Sequence, residues 1–486
     1  MSFPFGWMNN IGQRRKSRPF AKAKAAAIDP KGRRFIGFTM ESHQPVWALP
    51  GHSLTLAANG AGKTTNGIMP WLLSLLASSD RPAILVMDSK DGEIAAQCIP
   101  MLKELGVPTA VIDDTYVLPR DVHGRVRINA MQSVVQTYLT HPEDQVFAND
   151  AVTLTAIEEP ENDQRNRYFR AWPRLLIEFV IYLLLKRDPA MATPGAVWAL
   201  LSNPDQLRRF AEIEAVEGDG MLKSLAVNIV GMAKHEHWPQ HLQAACDAMR
   251  VFGVGTRLHL AGHKADTTHT DLIQKRAVVF LCGSQANMGS MGIYYGLHLM
   301  SFIRAAYLRA GPLWIGADEF TNAPVKKMVE YLTTLRAYGV TVSMIAQSRS
   351  EIERKLGKHE TLTIEDNSII EQWFGFSSFE EAERVSKAMG EEHVVSAGIS
   401  GDNDDLSLQT NLSLTKQPFQ TPAELMAMPR GMQLVHGKGF GFRLLYTAGQ
   451  QNIAPYCDLI ADNPLEGGRL PSDPKITFTL PEETRS

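Results

Sequence analysis

Residues 53–64 read SLTLAANGAGKT, and Ile68, Trp71, Leu72 and Leu75 then recur at helical spacing. A strand, a glycine-rich turn and a helix therefore follow one another directly. Set against the pattern G-x-x-x-x-G-K-[ST], the stretch Ala57, Ala58, Asn59, Gly60, Ala61, Gly62, Lys63, Thr64 fits at seven of eight positions. Ala57 stands where the pattern has its first glycine, and alanine is the smallest residue with a Cβ, so the turn accepts it. Gly60 and Gly62 let backbone N–H groups curl around phosphate oxygens, and the helix N-terminus adds its dipole. Lys63 is expected on the β- and γ-phosphates and the Thr64 hydroxyl on Mg2+, with Asn59, Ala61 and Thr65 completing the loop. ATP and Mg2+ are the implied ligands.

Phosphate chemistry of this kind also needs a carboxylate at a strand end facing the loop, and a group to activate water. The run Leu313–Ala317 ends in Asp318 and Glu319. A buried strand closing on two acids is costly without a cation or a water chain to compensate. Asp318 is expected in the magnesium shell and Glu319 as general base. Gln347 ends the next strand, where RecA-like motors place a γ-phosphate sensor. Arg336 lies between these two strands, in LTTLRAYGV.

With 486 residues the chain can bury one large core or two domains. It is 44% apolar and 21% charged, with a net charge of −3, so contact with nucleic acid must come from a local patch. Cys98, Cys246, Cys282 and Cys457 form no CxxC pair and suit reduced thiols. No stretch reads as a secretory signal or a membrane span. The greasiest run, Leu175–Leu185, contains Glu178 and is too short.

The expected layout has five parts. Residues 1–44 are a basic N-terminal arm and lead-in, with Arg14, Arg15, Lys16, Arg18, Lys22 and Lys24 unopposed by acids. Residues 45–139 are the first part of a nucleotide-binding domain, with strands at 83–87 and 109–112. Residues 140–265 are an all-helical insertion, whose leading edge EDQVFANDAVTLTAIEEPENDQ reads as an acidic loop. Residues 266–460 return to strands at 277–281, 313–317 and 342–346, then a hairpin turning at Lys438–Gly441. Residues 461–486, rich in Pro, Gly and acids, read as a flexible tail. The fold class is α/β: a RecA-like P-loop NTPase parallel sheet with an inserted all-helical domain.

In order and spacing, AANGAGKTT, MDSKDGE (87–93), RINAM (127–131), RNRYFRAWPRLL (165–176), GADEF (316–320), LRAYGV (335–340), IAQSRSEIERKLG (345–357) and FQTPAELMAMPRGMQLVHGKG (419–439) resemble the VirD4/TraG type IV coupling proteins. These are RecA-like motors of conjugation and type IV secretion. The resemblance implies a homo-hexameric ATPase that brings DNA, with a relaxase or other secretion substrate, to the channel components. It implies Lys63 and Thr64 on nucleotide and Mg2+, Asp318 and Glu319 in hydrolysis, and Arg336 as an arginine finger reaching the neighbouring subunit. Most such proteins begin with transmembrane helices. This chain resembles the soluble minority, so the expected place is the cytoplasm and the periphery of the inner membrane. Membrane contact would be indirect or made by the basic arm, where Phe3, Phe5, Trp7 and Met8 precede the basic run.

Two other functions fit the same motifs. One is a soluble FtsK/HerA-like DNA translocase, which the helical insertion and the Thr-Pro-Ala-Glu-Leu segment disfavour. The other is a substrate adaptor using ATP only as a conformational ligand, which Glu319 disfavours, because a binder needs no base. His259, His263, Asp266 and His269, and likewise His235, His237 and His241, cluster in sequence. Neither group has a matching partner pair, and both read as polar loop residues.

Overall fold

Apolar runs with few polar interruptions build the centre of the molecule, since strands buried on both faces need side chains apolar on both. The computed structural model describes residues 26–58, 60–159, 165–322, 326–400, 409–465 and 468–481. The first elements are β1 (Arg34–Thr39), β2 (Pro45–Ala48), β3 (His52–Leu56), α1 (Met69–Leu76), β4 (Ala83–Asp88), α2 (Glu93–Glu104) and β5 (Thr109–Ile112). Helices follow: α3 (Gln132–Thr140), α4 (Gln145–Ala156), α5 (Arg167–Arg187), α6 (Pro194–Leu201), α7 (Pro204–Glu217), α8 (Gly220–Met232), α9 (Trp238–Ala248) and α10 (His269–Gln274). Then come β6 (Val278–Cys282), α11 (Gly292–Tyr307), β7 (Leu313–Ala317), α12 (Lys326–Leu335), β8 (Val340–Ala346), α13 (Arg349–Leu356), α14 (Lys358–Asn367) and β9 (Ser368–Trp373). The chain continues through α15 (Phe379–Met389), β10 (Glu391–Ser400), β11 (Gln409–Pro418), β12 (Met432–Gly437), β13 (Gly441–Thr447), β14 (Ile453–Ala454) and β15 (Ile476–Thr477).

Among the described residues one sheet joins eleven strands in the order β2-β1-β13-β12-β9-β3-β8-β7-β4-β6-β5. From β9 to β5 every neighbouring pair is parallel, and from β2 to β9 every pair is antiparallel. The expected parallel sheet is present. Apart from the β12–β13 hairpin, its antiparallel half, with strand β1 inside the segment 1–44, was not foreseen. Residues 1–25 of the arm lie outside the described residues.

Alternation along each strand sends side chains to opposite layers. In β4, Leu85 and Met87 enter the layer that holds α5 and α11, whereas Ile84 and Val86 enter the layer of α1 and α2. Helices run from 132 to 274, wider than the 140–265 expected. The acidic stretch read as a loop contains α4, because Ala148 and Val152 are buried and pack with α3, α5 and α11. Only Asp150 of its acids falls inside the helix; Glu143 and Asp144 precede it, where negative charge suits a helix start.

The stretch 461–486 is not a loose tail over its described part. Ile476 and Phe478 are buried, and β15 pairs in parallel with β14. Proline and glycine there shape turns around a strand that completes the α1 layer. The expected hairpin is β12–β13, joined at 438–440. A second hairpin, β10–β11, was not anticipated.

Candidate nucleotide site

Strand β3 lies between β8 and β9, so its carboxyl end opens onto the edge where parallel α/β sheets hold ligands. The Ala57 N–H donates to the Ala346 carbonyl at 3.0 Å, which carries the β3–β8 ladder one residue further. Ala57 is fully buried and is not among the residues with positive φ, so alanine fits where the pattern has glycine. Gly60 and Gly62 have φ of +74° and +79°, a backbone that suits glycine, and a Cβ on Gly62 would meet the Asn66 side chain at 2.5 Å. Asn59 lies outside the described residues. The Asn66 N–H donates to the Gly62 carbonyl at 2.7 Å, and Lys63 already has helical φ. A π-helical turn, Thr64–Ile68, then leads into α1. Pro70 has no N–H to give the Asn66 carbonyl, which suits this wider turn. The result is a glycine-bent loop feeding a helix N-terminus, a shape that can cradle an anion.

Two strands away, β7 delivers Asp318 and Glu319 to the same edge. Lys63 Nζ lies 2.6 Å from Glu319 Oε1, and the Thr64 hydroxyl donates to Asp318 Oδ2 at 3.3 Å. Lys90, from the β4–α2 turn, lies 3.1 Å from Glu319 Oε1 and 3.4 Å from Asp318 Oδ2. Two ammonium groups thus balance two carboxylates among buried side chains. Leaving one of these charges unpartnered would cost about 3–5 kcal/mol. Asp318 Oδ1 is buried with no hydrogen-bond partner among the described residues. Beside the Thr64 hydroxyl, that orphan oxygen is the feature that fits a magnesium ion or its bound water.

Burial raises the Asp318 carboxyl above the ordinary carboxylate range, against the pull of Lys90. Burial acts the same way on Glu319, but the Lys63 hydrogen bond and the Lys90 charge outweigh it and hold this acid below its ordinary value. Glu319 also has φ +50°, in the left-handed region that non-glycine residues avoid. Such outliers persist where the surroundings over-determine them, often at functional sites.

Lys90 and Asp88 were not singled out from the sequence. Asp88 is fully buried at the end of β4, where desolvation pushes its carboxyl up to about 7 while the Ala95 N–H, at 2.8 Å, favours the anion. The available hint was charge following directly on a buried strand, as in VMDSKDGE. Gln347 is half-buried directly after β8, one residue beyond the Leu56–Ala346 pair and so beside the loop. Thr65 is half-buried in the π turn. Arg336 is exposed and lies apart from all of these. It follows α12 at the amino end of β8, on the sheet edge opposite Lys63.

The histidines divide differently from the expectation of polar loop residues. His241 is buried in α9, and His269 begins α10 with Nε2 3.2 Å from Nδ1 of buried His298. Burial holds both rings of that pair below the ordinary histidine value, His298 at about 3. Among the described residues no three His, Cys, Asp or Glu side chains gather around a metal-sized space.

A parallel sheet with a glycine-lysine-threonine loop on one strand and paired acids two strands away defines a RecA-like P-loop NTPase fold. Comparison with known proteins narrows the class. Residues 312–430 match the family model described as the TraM recognition site of TraD and TraG. The bacterial conjugative coupling protein TrwBdeltaN70, in its unbound monoclinic form, is similar in structure with TM-score 0.58 and 14% identity, over 82% of this chain and 84% of that one. The plasmid coupling protein TrwB in complex with ADP and Mg2+ gives TM-score 0.57 and 14% identity, over 82% and 84%. TrwB with the non-hydrolysable ATP analogue ADPNP gives TM-score 0.57 and 14% identity, over 82% and 85%. No curated protein sequence matches. The resemblance to the VirD4/TraG-type coupling proteins is borne out by the family match and by the fold.

Proposed function

We propose that the chain is an ATP-hydrolysing coupling protein that drives DNA, or a DNA–protein complex, into a type IV secretion channel. The observation carrying this reading is the convergence of Lys63 and Thr64 with Asp318 and Glu319 at one sheet edge, at 2.6 Å and 3.3 Å, in a chain that matches the TraM recognition model. That match favours coupling over an FtsK/HerA-like translocase.

The loop backbone from Gly60 to Lys63 binds the phosphates, and Lys63 exchanges Glu319 for the β- and γ-phosphate oxygens. Thr64 and Asp318 hold Mg2+, which when bound neutralises phosphate charge and orients the triphosphate. Glu319 takes a proton from the attacking water. The water oxygen bonds to the γ-phosphorus while the bond to the β-phosphate bridging oxygen breaks, giving ADP and phosphate. Gln347 senses the γ-phosphate. Arg336, exposed at the far edge of its own sheet, serves the site of the next subunit in a homo-hexamer. Within this reading the helices between β5 and β6 form the insertion domain that meets relaxase or other cargo. Among the described residues no helix is long and apolar enough to cross a membrane. By its likeness to coupling proteins, the proposed place of work is the cytoplasmic side, at the inner-membrane periphery.

Steady-state ATPase assays with and without DNA test the reading. Turnover that DNA stimulates and Lys63→Ala abolishes is expected. Nucleotide binding without turnover would make the chain an ATP-dependent adaptor instead.

A further inference from the structure

Two lysines share one oxygen of Glu319, and only one of them belongs to the phosphate loop. Lys63 Nζ sits 2.6 Å and Lys90 Nζ 3.1 Å from Oε1. A γ-phosphate would compete with Glu319 for the Lys63 ammonium. Lys90 is under no such demand, because its backbone belongs to a different, tightly held turn. The Asp91 N–H donates to the Gly283 carbonyl at 3.1 Å, and the Gly283 N–H donates back to the Asp88 carbonyl at 3.2 Å. Asp91 Oδ1 accepts from the Gln285 N–H at 3.2 Å. Gly92, at φ +74°, has Leu118 where a Cβ would stand, 2.8 Å away. The β4–α2 turn is thus tied to the segment after β6, and the Lys90 side chain is 15% exposed.

We propose that Lys90 is a positioning residue that keeps Glu319 aimed at the attacking water once nucleotide has drawn Lys63 away. Both lysines contact the same carboxylate oxygen and restrain it together. When the triphosphate takes Lys63, Lys90 remains as the cation on Glu319. Its second contact, 3.4 Å to Asp318 Oδ2, fixes the spacing between the two acids. The strained φ of Glu319 makes this support necessary, since the residue has no backbone preference of its own for that conformation. The proposal rests on the hydrolytic reading of Glu319.

The test uses the full-length protein with DNA present, comparing Lys90→Met, Lys90→Arg and Glu319→Gln. Each is assayed for kcat and for affinity toward a fluorescent ATP analogue. A misplaced catalytic group costs about 10²-fold, so Lys90→Met should lose about that much in kcat while analogue affinity is unchanged. Lys90→Arg, which keeps the charge, should recover most of the rate. Lys90→Gln keeps a donor and replaces Lys90→Met if that variant does not fold. Three outcomes overturn the proposal. Lys90→Met could turn over near the wild-type rate while Glu319→Gln is inactive. Analogue affinity could fall in step with rate, making Lys90 a phosphate ligand. Lys90→Arg could be as inactive as Lys90→Met with the same drop in melting temperature, leaving only a structural role. An active Glu319→Gln would instead remove the base assignment, and this proposal with it.

Discussion

Thr64 and Asp318 stand 254 positions apart in sequence, yet the Thr64 hydroxyl donates to Asp318 across 3.3 Å. Beside it, Asp318 Oδ1 is buried and lacks a hydrogen-bond partner among the described residues. Asp318→Asn should therefore leave the fold intact and raise the Mg2+ concentration for half-maximal ATPase activity by about 10–100-fold. A Mg2+ titration of both proteins checks it, and an unchanged midpoint would take Asp318 out of the metal shell.

Glu319→Gln keeps the shape of the side chain and removes the carboxylate that the proposed hydrolysis uses as its base. Turnover should fall by about 10²–10⁴-fold while nucleotide binding persists. The substitution also frees Lys63 from its ion pair, so affinity for ATP should rise rather than fall. Calorimetric titration with a non-hydrolysable analogue reads that second effect.

Arg336 and Lys63 occupy opposite edges of one sheet, so a shared site needs two chains. Arg336→Ala and Lys63→Ala should each be inactive, with the arginine worth about 10³–10⁵ in rate. Mixed together, some boundaries pair an intact Lys63 with an intact Arg336, and partial activity should return. Normal turnover by Arg336→Ala alone would exclude the finger.

Glu178 on α5 is raised by burial, and further by Asp150, from 4.5 to about 7. Its folded value lies above its unfolded one. Its contribution to stability is therefore complete below about pH 4.5 and is lost as pH rises through 7. Glu178→Gln imitates the protonated form, so its melting temperature relative to wild type should climb between pH 5 and pH 8. The gain is on the order of 1 kcal/mol once partial solvent screening is counted.

Phe478 packs edge-on against Phe35 with ring centroids 5.7 Å apart, and lies 5.6 Å from the Trp47 ring. Phe478→Ala should cost about 3–5 kcal/mol, measurable by denaturant unfolding. A loss below 1 kcal/mol would mean that the residue is peripheral.

The glycine-bent loop and the two acids that meet it were legible because each is a local pattern in consecutive residues. Six of the seven parallel strands were legible because burial on both faces demands apolar runs such as AILVMD, whereas β9, SIIEQW, breaks its run with Glu371 and Gln372 and was not read. Lys90 was hidden because a charged turn after a strand looks like any solvated turn. Only the β4–β7 pairing brings it to Glu319. The antiparallel half was hidden because β1 finds its partner in β13, about four hundred residues on. Helix α4 was hidden by the acids flanking its apolar stripe, and the His269–His298 pair by distance along the chain.

Strand β3 is hydrogen-bonded on both sides by strands made much later: Ser53 is 290 positions from Ser343, its neighbour in β8. At about 5–20 residues per second of synthesis, roughly 15–60 s separate the two. During that interval the strand that leads into the glycine loop has neither of its neighbours. The glycine loop at the end of β3 therefore gains its flanking strands only once the last third of the chain has begun to emerge. Slow, non-local closure of this kind exposes a chain to aggregation. Yield during expression should then respond to translation speed and chaperone supply more than to nucleotide levels.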